Sequence, residues 1–173
     1  MYYETLMDTP YGVLRLQADD EALTNAGFIS TAEVSGTNEI SNIKRDGPLA
    51  APLQLALDWY QRYFAGEEPD PSEVPIRPEG TPFQMEVWSI VRQIPYGEVL
   101  SYGEIARKIA AQRGIPRMAF QAVGGAMKAN RIFILIPCHR VIGADGSMVG
   151  YGTLPNSLEL KRALLRHEGM LEI

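Results

Sequence analysis

Residues 101–130 read SYGEIARKIAAQRGIPRMAFQAVGGAMKAN, and this stretch decides what the second half of the chain can become. Ser101-Tyr102-Gly103-Glu104 is a capping box, in which serine and glutamate each satisfy a backbone amide at a helix start. It predicts a helix to about Gln112, a turn at Arg113-Gly114-Ile115-Pro116, and a second helix over 117–129. Helix, short glycine-containing turn, helix is the outline of a helix-turn-helix, although many helical hairpins never meet DNA. The second of these helices carries Ala119, Ala122, Gly124, Gly125, Ala126 and Ala129, so much of its surface is small. Two adjacent glycines cost roughly 1 kcal/mol each against alanine in a helix. Something must compensate: close packing on another helix, or close approach to a nucleic-acid groove.

Working upstream, Thr81-Pro82-Phe83-Gln84 is another capping box, with proline at the first helical position. It predicts a helix to about Ile94 with Phe83, Val87, Trp88 and Val91 inward, ended by Pro95-Tyr96-Gly97. Residues 2–8, 11–18 and 22–30 read as short strands, and Val13-Leu14-Arg15-Leu16 alternates as a sheet with one solvated face would. Residues 31–47 are polar and read as a mobile loop. Leu49, Leu53, Leu57, Tyr60 and Phe64 recur at helical spacing over 48–65. The acidic, proline-rich run over 66–80 reads as a linker. The expectation is an α+β chain: residues 1–80 a small α/β domain with its linker, residues 81–173 mainly helical.

Downstream lies ILIPCHRVI, residues 134–142, with the only cysteine in 173 residues beside one of two histidines. The apolar run 133–136 has strand character and leads into Pro137, which favours an extended Ile136. A cysteine at the end of a buried strand, on a bend, can face a cavity. The plain alternative is an inert buried thiol.

Composition narrows the classes. No apolar run of about 18 residues is present, so no membrane-spanning segment is expected. The first nine residues carry Glu4 and Asp8 and do not resemble a signal peptide. A single cysteine fits a reducing cytoplasm and makes a structural zinc site improbable. The net charge of −5 is unevenly distributed: −9 over residues 1–96 and +4 over 97–173. From Ile105 to Ala144 there are seven basic residues (Arg107, Lys108, Arg113, Arg117, Lys128, Arg131, Arg140) and no acid. A local basic surface matters more for phosphate binding than the whole-chain charge.

Pro137-Cys138-His139-Arg140-Val141 resembles the active-site signature of the O6-alkylguanine-DNA alkyltransferases. The resemblance continues through Ala122-Val123-Gly124-Gly125-Ala126-Met127, Asn130, Gly150-Tyr151-Gly152 and His167-Glu168-Gly169, and more loosely through Asp8-Thr9-Pro10-Tyr11-Gly12. It implies a ribonuclease H-like N-terminal domain before the helix-turn-helix domain. It implies transfer of an alkyl group from O6-alkylguanine in DNA, with O4-alkylthymine as a second candidate, to Cys138 in one irreversible turnover. No cofactor or metal is implied, since zinc ligands found in some relatives are absent here.

Residue by residue, the resemblance makes Cys138 the nucleophile, His139 its base through a water, and Glu168 the carboxylate that orients the histidine. Tyr102 becomes the donor to the leaving guanine and Asn130 the brace of the cysteine loop. Tyr151, flanked by Gly150 and Gly152, becomes a pocket wall, and backbone groups at Cys138 and Val141 read the base edge. His167 reads as a histidine near a helix C-terminus, favoured there by the dipole. The helix bearing Gln121, Ala122, Gly124, Gly125 and Lys128 would enter the minor groove of double-stranded DNA, with Arg140 adding charge. Gln121 stands where many relatives have an arginine that fills the vacated stack, and Arg117, one turn earlier, is a candidate to supply the charge. A monomer in the cytoplasm is the default. Two other classes remain: a non-catalytic lesion sensor on the same fold, which Cys138 disfavours, and a cysteine hydrolase, which adjacent Cys and His rarely make.

Overall fold

The computed structural model describes residues 1–30, 32–33, 50–148, 151 and 156–170. The polar segment 31–47 therefore lies almost wholly outside the described residues, as do Gly150 and Gly152. The chain divides into two compact units, Met1–Pro78 and Glu79–Ile173.

The first unit is an antiparallel sheet in the order β1 (Tyr3–Thr9), β2 (Gly12–Ala18), β3 (Leu23–Ile29). β1 and β2 pair from Tyr3↔Ala18 to Thr9↔Gly12, a tight hairpin. In β2 the period-two pattern buries Leu14, Leu16 and Ala18 completely and leaves the intervening side chains half-exposed or outside. Helix α1 (Ala51–Phe64) covers the sheet with Leu53, Ala56, Trp59, Tyr60 and Tyr63, and Trp59 stacks on Tyr63 at 5.5 Å. The run 66–80 is less of a linker than its composition suggests. Leu23 donates to Pro75 O at 2.8 Å, Arg77 N donates to Leu23 O at 2.8 Å, and Val74 is buried. Arg77 also pairs with Asp19 and Glu21.

The second unit is helical. α2 (Pro82–Val91) begins at the predicted Thr81–Gln84 capping box, and α3 (Tyr102–Arg113) at the Ser101–Glu104 box. α3 stops at Gly114, whose φ of 65° is the left-handed conformation that glycine adopts freely. α4 (Phe120–Lys128) starts three residues later than its pattern predicts, with Ala119 at its N-cap and no side-chain cap. Trp88 on α2 donates from Nε1 to Ala126 O at 2.9 Å and ties α4 down. Two short strands, β4 (Leu100–Ser101) and β5 (Val141–Ile142), pair in parallel. This bridge brings the start of α3 beside the segment following Cys138. α5 (Ser157–His167) packs its Leu160, Leu164 and Leu165 inward and ends at Glu168.

Residues 133–136 are not the predicted strand. Leu135 N donates to Phe133 O at 2.9 Å and Ile136 N to Ile132 O at 3.1 Å, making a compact turn. Ile134 adopts φ 74°, a conformation rare for a β-branched residue and costing on the order of 1–3 kcal/mol. A 3₁₀ turn, Cys138–Arg140, follows directly.

Candidate active site

Asn130 holds the turn that presents the cysteine. Its Nδ2 donates to Ile136 O at 3.0 Å, and its Oδ1 accepts from Ile132 N at 2.9 Å. Both bonds are buried, so the strained Ile134 is clamped from two sides. Asn130 and the nearby Lys161 charge both favour the Cys138 thiolate. Burial outweighs both. The Cys138 side chain is 1 % exposed and its pKa is pushed up to about 12.

Behind the cysteine lies a chain of buried polar groups. His139 Nε2 sits 2.6 Å from Glu168 Oε2. Arg140 Nε donates to Glu168 Oε1 at 2.7 Å, its Nη2 to Oε2 at 3.1 Å, and its Nη1 to Ile94 O at 2.7 Å. Burial raises the Glu168 pKa, but His139 and Arg140 together override it and hold the carboxyl well below its ordinary range. Burial lowers the His139 pKa, with Glu168 opposing, so the imidazole rests neutral. An ionised Glu168 accepts from Nε2–H, which leaves Nδ1 as the basic nitrogen. That atom is buried and has no protein hydrogen-bond partner among the described residues.

Arg140 thus departs from the DNA-facing role its charge suggested: it is buried and bound to Glu168. Arg113 is likewise paired, with Glu86 at 2.6 Å. Arg107, Lys108, Arg117, Lys128 and Arg131 remain exposed. Arg117 precedes α4 instead of lying on it, so it does not share the helix face of Gln121.

Lys161 was not anticipated. It is fully buried on α5, and its Nζ donates to Val141 O and, at 3.4 Å, to the Tyr102 hydroxyl. Burial lowers its pKa to about 8. Its signal was a lysine on the apolar stripe, three and four residues before Leu164 and Leu165. Burial raises the Tyr102 pKa to about 12, with Cys138 adding to it. Tyr102 is therefore neutral, with Lys161 donating to its hydroxyl on one side.

On its other side Tyr102 lines an open groove of about 680 Å³, with Phe120, Gln121, Gly124, Gly125 and Lys128 opposite the loop 143–147. Among the described residues, a Cβ built on Gly124 or Gly125 meets no atom within 4 Å. Helix packing inside the protein therefore does not require these glycines. Ala122, also on α4, is exposed outside the groove lining.

The remaining expected site residues lie around the cysteine turn and the end of α5. Tyr151 is buried against Phe133 at 4.9 Å and edge-on to His139 at 6.4 Å, away from the groove lining. The Cys138 amide donates to Ile136 O, the Val141 amide to Cys138 O, and Val141 O accepts from Lys161. A base edge would meet only the remaining lone pairs of those carbonyls. His167 closes α5, and its carbonyl accepts from the Tyr96 hydroxyl at 3.3 Å.

The second unit thus joins a helix-turn-helix to a buried cysteine turn with its own histidine, carboxylate and lysine. Residues 82–170 match the family described as 6-O-methylguanine DNA methyltransferase, DNA binding domain, and residues 1–78 match its ribonuclease-like domain. The chain belongs to the 6-O-methylguanine DNA methyltransferase family. It is 37% identical over 166 residues to the methylated-DNA–protein-cysteine methyltransferase of Haemophilus influenzae, covering 96% of this chain and 86% of that one. The Methanosarcina acetivorans protein of the same name is 38% identical, covering 98% and 99%. A crystal structure of Mycobacterium tuberculosis OGT in complex with DNA superposes with a TM-score of 0.73 at 39% identity, covering 96% of this chain and 91% of that one.

Proposed function

We propose that this chain is a DNA repair protein that moves an alkyl group from O6-alkylguanine in double-stranded DNA to its own Cys138, once per molecule. The observation that carries the reading is the position of Tyr102, which lines the groove and accepts from the buried Lys161, whose ammonium also holds the Val141 carbonyl just after the cysteine turn. The bare Gly124–Gly125 surface supports approach of a duplex by its minor groove. Reaching a sulfur that is 1 % exposed requires the target base to leave the stack and Tyr102 or the loop 143–147 to shift.

Each part of the reaction has a residue. His139 Nδ1 takes the thiol proton through one intervening water, and the ionised Glu168 stabilises the imidazolium that forms. The thiolate attacks the alkyl carbon, so the sulfur–carbon bond forms as the carbon–oxygen bond breaks. Tyr102, polarised by the Lys161 ammonium, donates to the departing guanine. Asn130 keeps the sulfur in line. The product is a thioether, which ordinary thiol chemistry does not reverse, so each molecule acts once; one chain carries every group the transfer uses, which supports a monomer. O4-alkylthymine offers the same alkylated oxygen and is a second candidate substrate. A lone reduced cysteine suits the cytoplasm; among the described residues no helix is long and apolar enough to cross a membrane.

Intact-protein mass spectrometry after mixing with an O6-methylguanine duplex tests the proposal. One methyl gained per chain, on the Cys138 peptide, is the expected result. No gain, or catalytic turnover without a modified cysteine, overturns it.

A further inference from the structure

Phe120 occupies an unusual place. Its side chain is 57 % exposed at the first position of α4, and it lines the groove. Single exposed aromatics are common, so position decides the matter. Residues 120, 124 and 128 lie on one helical stripe, with 121 and 125 beside them. The middle of that stripe is bare at Gly124 and Gly125, where no atom approaches a built Cβ within 4 Å. Phe120, one helical turn before Gly124, is the large exposed apolar side chain beside that floor in the groove lining. Any surface that settles against the two glycines meets this ring at the helix start. Met85, Ile115 and Leu158, also exposed in this unit, are not on the groove.

Base extrusion leaves a gap in the stack that a flat side chain can fill, and an aromatic ring gives up the least hydration on entering it. Gln121 can hydrogen-bond the orphaned partner base, but its amide would lose hydration between stacked rings. Minor-groove proteins use apolar side chains, phenylalanine among them, as wedges between base steps. We infer that Phe120 is this wedge: its ring enters the stack where the alkylated base departs and holds the gap while the base reacts at Cys138. Gln121 reads the base left behind, and Lys128, at the far end of the stripe, holds the backbone. Phe120 is a positioning residue for base extrusion, and the inference rests on the repair function proposed above.

The test uses the full chain with one O6-methylguanine in a duplex and in a single strand, following methyl transfer to Cys138 at saturating protein. Phe120→Ala lowers the duplex-to-single-strand rate ratio about tenfold or more, the scale of one lost base–aromatic contact. Phe120→Trp, which keeps a flat ring, restores the ratio. Equal slowing on both substrates overturns the inference, because a merely structural role gives that result. An unchanged duplex rate in Phe120→Ala overturns it too. If the unaltered protein methylates itself on neither substrate, the repair function fails along with the wedge; normal transfer with an unchanged ratio in the variant removes the wedge alone.

Discussion

His139 Nε2 and Glu168 Oε2 lie 2.6 Å apart with both side chains out of water. Glu168 also carries Arg140, so one carboxylate serves a base and a buried cation. Glu168→Gln leaves the Arg140 charge uncompensated. Loss of one partner from such a buried pair costs roughly 3–5 kcal/mol. Urea unfolding measures that loss, and transfer by the surviving folded fraction is slowed as well.

Acid stability follows from the same pair. His139 has a lowered folded pKa, so the unfolded chain binds the proton first and stability falls once pH drops below about 6.5. Glu168, also lowered, adds stability above its unfolded value and loses it as pH falls below about 4.3. Urea midpoints between pH 8 and 2 therefore decline in two stages. His139→Gln removes the first stage and leaves the second.

Cys138 rests as a thiol, with its pKa near 12. A bulky disulfide reagent at neutral pH reacts with it far more slowly than with a free cysteine whose pKa is about 8.5. Absorbance-monitored labelling checks this. A rate matching a small-molecule thiol would show that the sulfur is open and ionised in the free protein.

Lys161→Met separates rate from stability. An apolar side chain of similar length fits the buried stripe, so unfolding free energy changes little. Transfer slows on the order of 10²-fold, as loss of assistance to a proton donor does. Because Lys161 acts through Tyr102, Tyr102→Phe and the double variant slow the reaction by similar amounts. Single-turnover kinetics of the three variants read this non-additivity.

Gly125→Ala discriminates between an internal and an external reason for the glycine. Open space surrounds the added methyl, so the helix gains roughly 0.8–1 kcal/mol. Thermal unfolding records the gain, whereas affinity for duplex DNA falls. A drop in stability would return the glycine to a packing role.

What could be read without coordinates was local. The capping boxes at Thr81–Gln84 and Ser101–Glu104 involve residues three apart and fold as they read. The alternation in β2 gives its buried face directly. The apolar run 133–136 misled because a strand and a turn clamped from outside look alike in composition, and the clamp is Asn130. Arg140 reads as a surface charge until Glu168, 28 positions away, is seen beneath it. Lys161 was hidden for the same reason: its partners Val141 and Tyr102 come from other segments. Periodicity marks Lys161 as facing inward, but only its tertiary neighbours show what a buried charge is bound to.

The tight seat of the cysteine has one more consequence. The sulfur is almost wholly out of solvent, so a group acquired there has to be housed inside the unit, beside the turn that Asn130 and the contorted backbone at Ile134 hold. Crowding a filled interior by one carbon typically costs about 1–3 kcal/mol. The used molecule is thus a looser one, and its own softened architecture is the receipt that it has already acted.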